Sequence, residues 1–150
     1  MTITVRQLIK FIVFLLFLFF LFYHFFLYWD FSNKCFITMK PSFFEFSNTT
    51  IKKGIKYLKS NYKPQYQDFC KYVSSINPNP ACGGYGGGCF YGDNTREIYI
   101  STHYGKVKNA AKVIIHETCH AKQMAENRTP SEDECYKKDS VIIWEGPKAK

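Results

Sequence analysis

The stretch that decides the fold is KVKNAAKVIIHETCHAKQMAEN, residues 106–127. Its small and apolar side chains recur every three or four positions, which is the period of an α-helix that turns one face towards a core. These positions are Val107, Ala110, Ala111, Ile114, Thr118, Ala121 and Ala125. The triplet Arg128-Thr129-Pro130 ends the pattern, because proline cannot continue a helix. We therefore predict a long helix over residues 106–127.

A His-Glu-x-x-His motif lies within this predicted helix. His116 and His120 are four positions apart, and Glu117 follows the first histidine. Residues i and i+4 lie one turn apart on the same helical face, so the two imidazoles can share one zinc ion. Zinc lowers the pKa of a bound water towards neutrality, and Glu117 can reach that water as a general base without being a ligand. The motif predicts a catalytic zinc site.

A catalytic zinc site needs a third protein ligand and an open fourth position. The segment SEDECYKKD, residues 131–139, begins with the helix cap and capping-box pattern of Ser131 and Glu134. We expect Glu132 to be the third ligand, because it shares its helical face with residues suited to inward packing. These are Cys135, Tyr136, Asp139 and Ile143. Glu134, the alternative, shares its face with two lysines, which indicates solvent.

Further residues near the histidines have two possible roles. Asp139 or Asp133 can orient a ligand histidine through a hydrogen bond to its second ring nitrogen. Cys119 and Cys135 can in principle bind zinc themselves, since thiolates are zinc ligands. We expect them instead to form a disulfide that ties the catalytic helix to the glutamate helix and fixes the ligand geometry.

The HETCH helix, the short connection and the Glu-x-x-small helix together resemble the minimal gluzincin arrangement of zincin metallopeptidases. The resemblance covers about residues 95–145, and it implies a zincin-like α+β domain with Glu132 as third ligand and Cys135 in the small-residue position. It further implies that residues 96–102 form an edge strand that binds extended peptide substrate. Candidates to stabilise the oxyanion are Tyr136, His103 and Tyr104.

The rest of the domain has weaker patterns. Thr49 or Thr50 can cap a helix that carries apolar residues at i, i+4 and i+7, namely Ile51, Ile55 and Leu58. Pro64 opens a second predicted helix, whose apolar stripe is Tyr66, Phe69, Cys70, Val73 and Ile76. Residues 77–94 are rich in glycine and proline and predict a loop. Residues 96–101 alternate in hydrophobicity and predict a strand.

The N-terminal part of the chain is a membrane segment by composition. Residues 11–29 hold 11 of the 28 aromatic residues, one polar side chain, His24, and no charge. As a helix they span roughly 28 Å, close to the hydrocarbon thickness of a bilayer, with Tyr23, Tyr28 and Trp29 near one interface. A cleaved signal peptide is the alternative, but no small-x-small cleavage site follows. We expect an uncleaved signal anchor that contacts the lipid bilayer through residues 11–29.

All six cysteines follow this segment, at positions 35, 70, 82, 89, 119 and 135. An even number of cysteines in a small domain behind a signal anchor predicts disulfides and an oxidising compartment, which places the C-terminal domain outside the cytoplasm. Reduced thiols in a cytosolic domain are the alternative, since the charge bias across the anchor is weak. With Cys119 and Cys135 paired, the remaining bonds are expected to be Cys82–Cys89 and Cys35–Cys70.

These observations predict three parts: a membrane helix over 1–30, a linker over 31–48 and a disulfide-stabilised domain over 49–150. The net charge of +8 comes from dispersed lysines without a nucleic-acid-binding motif, so nucleic acid is not an expected partner. The predicted function is a membrane-anchored Zn²⁺ metallopeptidase acting on a peptide or protein. A non-catalytic surface domain with a degenerate zincin fold is the alternative, and a cell-wall peptide hydrolase would share the chemistry.

Overall fold

The computed structural model describes residues 4–41, 48–79, 82, 87–92, 96–101 and 106–143. Within these ranges the chain is a mixed α+β protein, as predicted. The helices are α1 (Val5–Phe26), α2 (Thr49–Asn61), α3 (Lys63–Tyr72), α4 (Val107–Ala125) and α5 (Glu132–Asp139). The strands are β1 (Leu27–Asp30), β2 (Cys35–Met39), β3 (Ser75–Pro78), β4 (Gly88–Cys89) and β5 (Glu97–Ile100).

The described strands form one sheet in the order β1-β2-β3-β5-β4. Strands β2, β3 and β5 are parallel, whereas β1 and β4 run antiparallel to their neighbours at the two edges. The strand predicted over 96–102 is present as β5, but the expectation that it is an edge strand is wrong. Its residues pair with β3 on one side, Ile76 opposite Ile98, and with β4 on the other, Gly88 opposite Ile100.

The core lies between the sheet and α2, α3 and α4. The predicted apolar positions of α2 are fully buried, as are the isoleucines that the strands turn inward. Helices α2 and α4 approach closely at Gly54, where an added Cβ would lie 3.2 Å from Ala110 Cβ. Small residues on both helices therefore permit the contact that places α4 in the middle of the domain.

The second predicted helix ends earlier than its apolar stripe. Helix α3 stops at Tyr72, and Val73 already has extended backbone angles. Ile76 belongs to β3, where it pairs with Met39 of β2 and Ile98 of β5. β-branched residues favour strands, and the pairing partners lie far away in sequence. The predicted loop 77–94 accordingly contains the end of β3 and all of β4, and residues 83–86 of its glycine run lie outside the described residues.

The N-terminal helix α1 is long and apolar enough to cross a membrane or to be a signal peptide. It ends before the predicted boundary, because Leu27–Asp30 form β1. Tyr28, expected at the membrane interface, is buried and its hydroxyl lies 2.9 Å from that of Tyr66. The predicted linker is likewise shorter, because β2 lies within it and belongs to the sheet. The phenylalanines at 43, 44 and 46 lie outside the described residues.

The domain holds the end of α1 through two side chains of another segment. Asn48 Nδ2 donates a hydrogen bond of 2.8 Å to the carbonyl of Phe25. Lys52 Nζ donates to the carbonyl of Tyr23 at 3.1 Å and to that of His24. The last carbonyls of a helix have no partner within it and carry negative partial charge, so an amide and an ammonium stabilise this end.

The three expected disulfides are confirmed, and they account for every cysteine of the sequence. Cys35–Cys70 joins β2 to α3, and Cys119–Cys135 joins α4 to α5. Cys82–Cys89 ties the residue at 82 to β4. Each bond therefore joins two segments that are distinct elements or loops of the fold.

Asp30 anchors β1 to the helices through a buried carboxylate. Its Oδ2 accepts hydrogen bonds of 2.7 Å from the Tyr66 hydroxyl and from Asn33 Nδ2, and lies 2.8 Å from Lys59 Nζ. The Lys59 ammonium, assisted by the other two donors, holds the pKa of this carboxyl well below its usual range. Because the folded pKa is depressed, the stabilisation is present above the unfolded pKa of about 3.9 and is lost as the pH falls towards the folded value.

We expect Asp30→Asn to lower the free energy of unfolding by about 1–3 kcal/mol near neutral pH, because three donors lose a charged acceptor. The difference from wild type should shrink in acid, where the wild-type carboxylate also becomes protonated. Urea denaturation in detergent across this pH range measures both effects. Asp68→Asn, which removes a more exposed partner of Lys122, is the control and should cost less. A difference that does not depend on pH would contradict the assignment.

Candidate metal centre

The structure brings the three predicted ligand residues together at one point. His116 and His120 lie on α4, and Glu132 is the first residue of α5. The two histidine Nε2 atoms are 3.3 Å apart. Glu132 Oε2 lies 3.1 Å from His116 Nε2, and Oε1 lies 3.3 Å from His120 Nε2. One ligand atom from each residue therefore faces the same small volume.

These separations fit the coordination shell of zinc. Zinc binds histidine nitrogen and carboxylate oxygen at about 2.0–2.2 Å, so neighbouring ligand atoms of a tetrahedron are about 3.3–3.5 Å apart. The observed range of 3.1–3.3 Å lies close to that value. Two histidines and one carboxylate are also the donor set of catalytic zinc sites. The Glu132 side chain is 64% exposed, which leaves the fourth direction open to solvent.

A buried aspartate orients the first histidine. Asp139 Oδ2 lies 3.0 Å from His116 Nδ1, and its other oxygen lies 3.2 Å from Lys112 Nζ. A carboxylate that accepts the Nδ1 proton keeps the Nε2 lone pair free for a metal. Of the two aspartates considered from the sequence, Asp139 has this position, whereas Asp133 is exposed.

Gln123 orients the second histidine, a role that the sequence analysis missed. Its Oε1 lies 3.2 Å from His120 Nδ1 and accepts a hydrogen bond of 3.1 Å from the backbone of Ser131. Its amide nitrogen donates to the carbonyl of Ser131 and to Glu134. The available signal was its place three residues after His120, on the same face of the helix. Gln123 thus links the histidine to the segment that leads into α5.

Glu134, the alternative ligand, points away from the histidines. It pairs with Arg128 Nη1 and with Lys138 Nζ, each at 2.8 Å. The Arg128 guanidinium, followed by the Lys138 ammonium, holds the pKa of this carboxyl well below its usual range. The prediction for the two faces of α5 is only partly correct. Cys135 and Asp139 are buried, but Tyr136 and Ile143, expected on the same inward face, are 61% and 84% exposed. The Glu134 side chain, at 31%, is also less exposed than that of Glu132, because its ion pairs cover it.

Glu117 lies beside the triad but does not belong to it. Only 4% of the residue is exposed. Burial, followed by the charges of Glu132 and Asp139, raises the pKa of this carboxyl to about 8. A dication held by the triad would lower it again, because opposite charge favours the carboxylate. A carboxyl with a raised pKa next to a cluster of metal-ligating side chains is typical of a functional site.

A cleft of about 510 Å³ opens above the triad. Its volume lies within the range of sites that bind small molecules or parts of larger ones. Strand β4 and residues 90–92 form one side, and α4 with the start of α5 forms the other. The strand that borders the cleft is therefore β4. Of the segment 96–102 expected to bind substrate, the described residues 96–101 do not line the cleft.

Of the three candidates for oxyanion stabilisation, the structure describes Tyr136. Tyr136 lines the cleft, and its ring centre is 4.7 Å from that of His116. Its position next to the triad keeps it a candidate donor. His103 and Tyr104 lie outside the described residues.

Gly88 brings β4 against α4, the helix that carries the two histidines. A Cβ at this position would lie 2.5 Å from Val113 Cγ1 and 2.7 Å from Glu117 Oε1. Such distances are too short for any real side chain, so only glycine permits this approach. The backbone of the cleft edge consequently lies directly against the buried carboxyl group.

We expect Gly88→Ala to lower the free energy of unfolding by about 1–3 kcal/mol, because the extra methyl group overpacks a filled site. Thermal or urea unfolding measures the change. Gly54→Ala is the matched control, since its closest contacts would be 3.2 Å and alanine favours a helix. Its effect should be clearly smaller, and equal effects of the two variants would refute the close approach of β4.

Comparisons of this chain with protein-family models, with curated proteins and with solved structures gave no match. The assignment of a function to the cleft therefore depends on the geometry of its own residues.

Proposed function

We propose that the protein is a membrane-anchored zinc metallopeptidase of gluzincin type, whose domain lies outside the cytoplasm and hydrolyses peptide bonds. The observation that carries the proposal is the triad of His116, His120 and Glu132, with separations close to those of a zinc shell and a buried glutamate beside it. A purely structural triad would not need a buried acid at the wall of an open cleft.

The residues around the triad have separate roles in this proposal. A zinc ion would supply a Lewis acid that polarises the substrate carbonyl and acidifies water. Glu117 accepts a proton from the attacking water and later delivers it to the leaving amine. Asp139 and Gln123 hold the histidines, and Tyr136 donates a hydrogen bond to the developing oxyanion.

The edge of β4 supports a peptide as substrate. Among the described strands, β4 pairs with β5 alone, so its outer edge can accept an extended chain by strand addition. That edge runs along the cleft, and Gly88 brings its backbone next to Glu117. A peptide bound there would present its backbone carbonyls near the triad.

The features of α1 and of the cysteines support the proposed location. Tyr28 is buried two residues beyond α1, and Asn48 and Lys52 hold the last turn of the helix. Removal of α1 as a signal peptide would break the hydrogen bonds of Asn48 and Lys52, which favours an anchor that is retained. Three disulfides are typical of an oxidising compartment.

Zinc content tests the proposal directly. We expect the full chain, purified in detergent, to bind about one zinc ion per chain, and His116→Ala to lose it. His24→Ala is the matched control, because this histidine lies in α1, and it should retain the metal. A folded wild-type protein that contains no zinc after metal supplementation would overturn the proposal.

A further inference from the structure

The hairpin of β1 and β2 carries an aromatic cluster on its outer face. Trp29 stands directly opposite Phe36, and both side chains point away from the core. The Trp29 ring stacks on Phe31 at 5.2 Å and meets Phe36 edge-on at 5.8 Å. These residues are 50%, 79% and 48% exposed, for Trp29, Phe31 and Phe36 respectively. Three packed aromatic rings left open to water are costly, so the cluster indicates a binding surface.

The same face of the sheet becomes polar beyond the hairpin. By register, Ser75 and Glu97 lie on the side of Trp29 and Phe36. Glu97 pairs with Lys40 at 2.6 Å and accepts hydrogen bonds from Ser75 and Asn77. These polar groups separate the aromatic residues of the hairpin from Tyr99 at the far side of the sheet, whose ring contacts that of Tyr91 at 4.7 Å.

The distance from α1 places this cluster at the depth of a membrane interface. The 22 residues of α1 span about 33 Å, close to the roughly 30 Å of a hydrocarbon core. Trp29 follows the last helical residue, Phe26, by three positions, or at most about 10 Å of extended chain. The headgroup layer is about 5–8 Å thick on each side, and tryptophan and other aromatic rings favour it.

We propose that the aromatic cluster of Trp29, Phe31 and Phe36 binds the lipid–water interface of the bilayer that α1 crosses, and so seats the domain on the membrane. This inference depends on the proposed function through the membrane anchor. Lys34, exposed in the turn of the hairpin, places a cation where lipid phosphates lie. Lys52 and Asn48 hold the start of α2 against the end of α1, which keeps the domain that carries the hairpin next to this end of the helix.

Tryptophan fluorescence tests whether the aromatic cluster binds the lipid–water interface. The chain has two tryptophans, so Trp144→Phe leaves Trp29 as the single reporter in the full-length protein. In phosphatidylcholine vesicles whose acyl chains carry bromine near the headgroup, we expect at least about twofold quenching of Trp29 relative to unbrominated vesicles. Aqueous iodide should quench it weakly.

Two relocated reporters make the test specific. In a background of Trp29→Phe and Trp144→Phe, Phe31→Trp should be quenched by bromine in the same way. Tyr91→Trp, at an exposed position beyond β4 on the opposite edge of the sheet, should respond to iodide and not to bromine. Neither position packs in the core, so both variants are expected to fold.

Retention of the chain in vesicles after alkaline extraction separates the two proposals. If the chain is not retained, the membrane anchor fails, and the proposed seat fails with it. The chain could be retained while aqueous iodide quenches Trp29 and bromine does not. The aromatic cluster would then not bind the lipid–water interface, although α1 would still anchor the chain. A third result is that neither iodide nor bromine quenches Trp29 and that cross-linking gives dimers. This result would show that a second copy of the chain covers the aromatic cluster, and it would also contradict binding of the cluster to the lipid–water interface.

Discussion

Glu117→Gln is expected to abolish peptide hydrolysis, by at least about a hundredfold, and to leave zinc binding intact. Glutamine has the shape of glutamate but cannot accept a proton from water. Glu117 contributes no atom to the triad, so the affinity for zinc should stay near that of wild type. The measurement pairs metal analysis with turnover of an unstructured protein substrate that offers many peptide bonds.

A glutamate at the C-terminal end of the same helix provides the matched control. Glu126, just beyond α4, accepts a hydrogen bond from Tyr72 and pairs with Arg128 away from the cleft. Glu126→Gln should hydrolyse substrate like wild type. If Glu117→Gln hydrolyses substrate nearly as fast as wild type, Glu117 is not the general base. Zinc binding by a wild-type protein without any hydrolysis would support the non-catalytic surface domain instead.

Loss of the Cys119–Cys135 disulfide should have the largest combined effect on stability and on the site. Closing a loop of 16 residues contributes about 3 kcal/mol by restricting the unfolded chain. The bond also joins α4 to α5, which carry the histidines and Glu132 respectively. We expect the double variant Cys119→Ala, Cys135→Ala to lose about 3 kcal/mol and to bind zinc at least about tenfold more weakly.

The Cys35–Cys70 bond separates these two effects. It closes a longer loop of 35 residues, so its removal should cost somewhat more, about 4 kcal/mol. It joins β2 to α3, however, and neither element carries a ligand. Under conditions where both double variants are folded, the Cys35→Ala, Cys70→Ala protein should keep wild-type zinc affinity. Equal zinc affinities of the two double variants would contradict a role of Cys119–Cys135 in holding the site.

The residues of the triad could be predicted because local periodicity determines their positions. His116 and His120 share one face of any helix that contains them, and Glu132 lies at the start of the next helix. The Cys119–Cys135 bond was expected between the same two helices. The buried stripe of α2 also repeats at helical spacing. In each case a short range of sequence contains the whole pattern.

The pairing of the strands could not be predicted, because it joins segments that are far apart in the sequence. The pairing of Met39 with Ile76, and of Ile76 with Ile98, joins three parts of the chain that no local period connects. Strand β4 has only two residues within a glycine-rich stretch, too few to show alternation. The end of α1 was predicted too late because Tyr28 and Trp29 look like a continuation of the apolar helix. They belong instead to β1, where Tyr28 faces the core and Trp29 faces outward.

The strand order has a geometrical consequence for the substrate. Strands β1 and β4 occupy opposite edges of the sheet, four strand spacings or about 19 Å apart. If β1 is seated on the bilayer and β4 borders the cleft, a substrate tethered in the same bilayer needs roughly six extended residues of stalk to reach the triad. If the protein is the peptidase proposed here, a membrane-tethered substrate with a shorter stalk would not reach the triad.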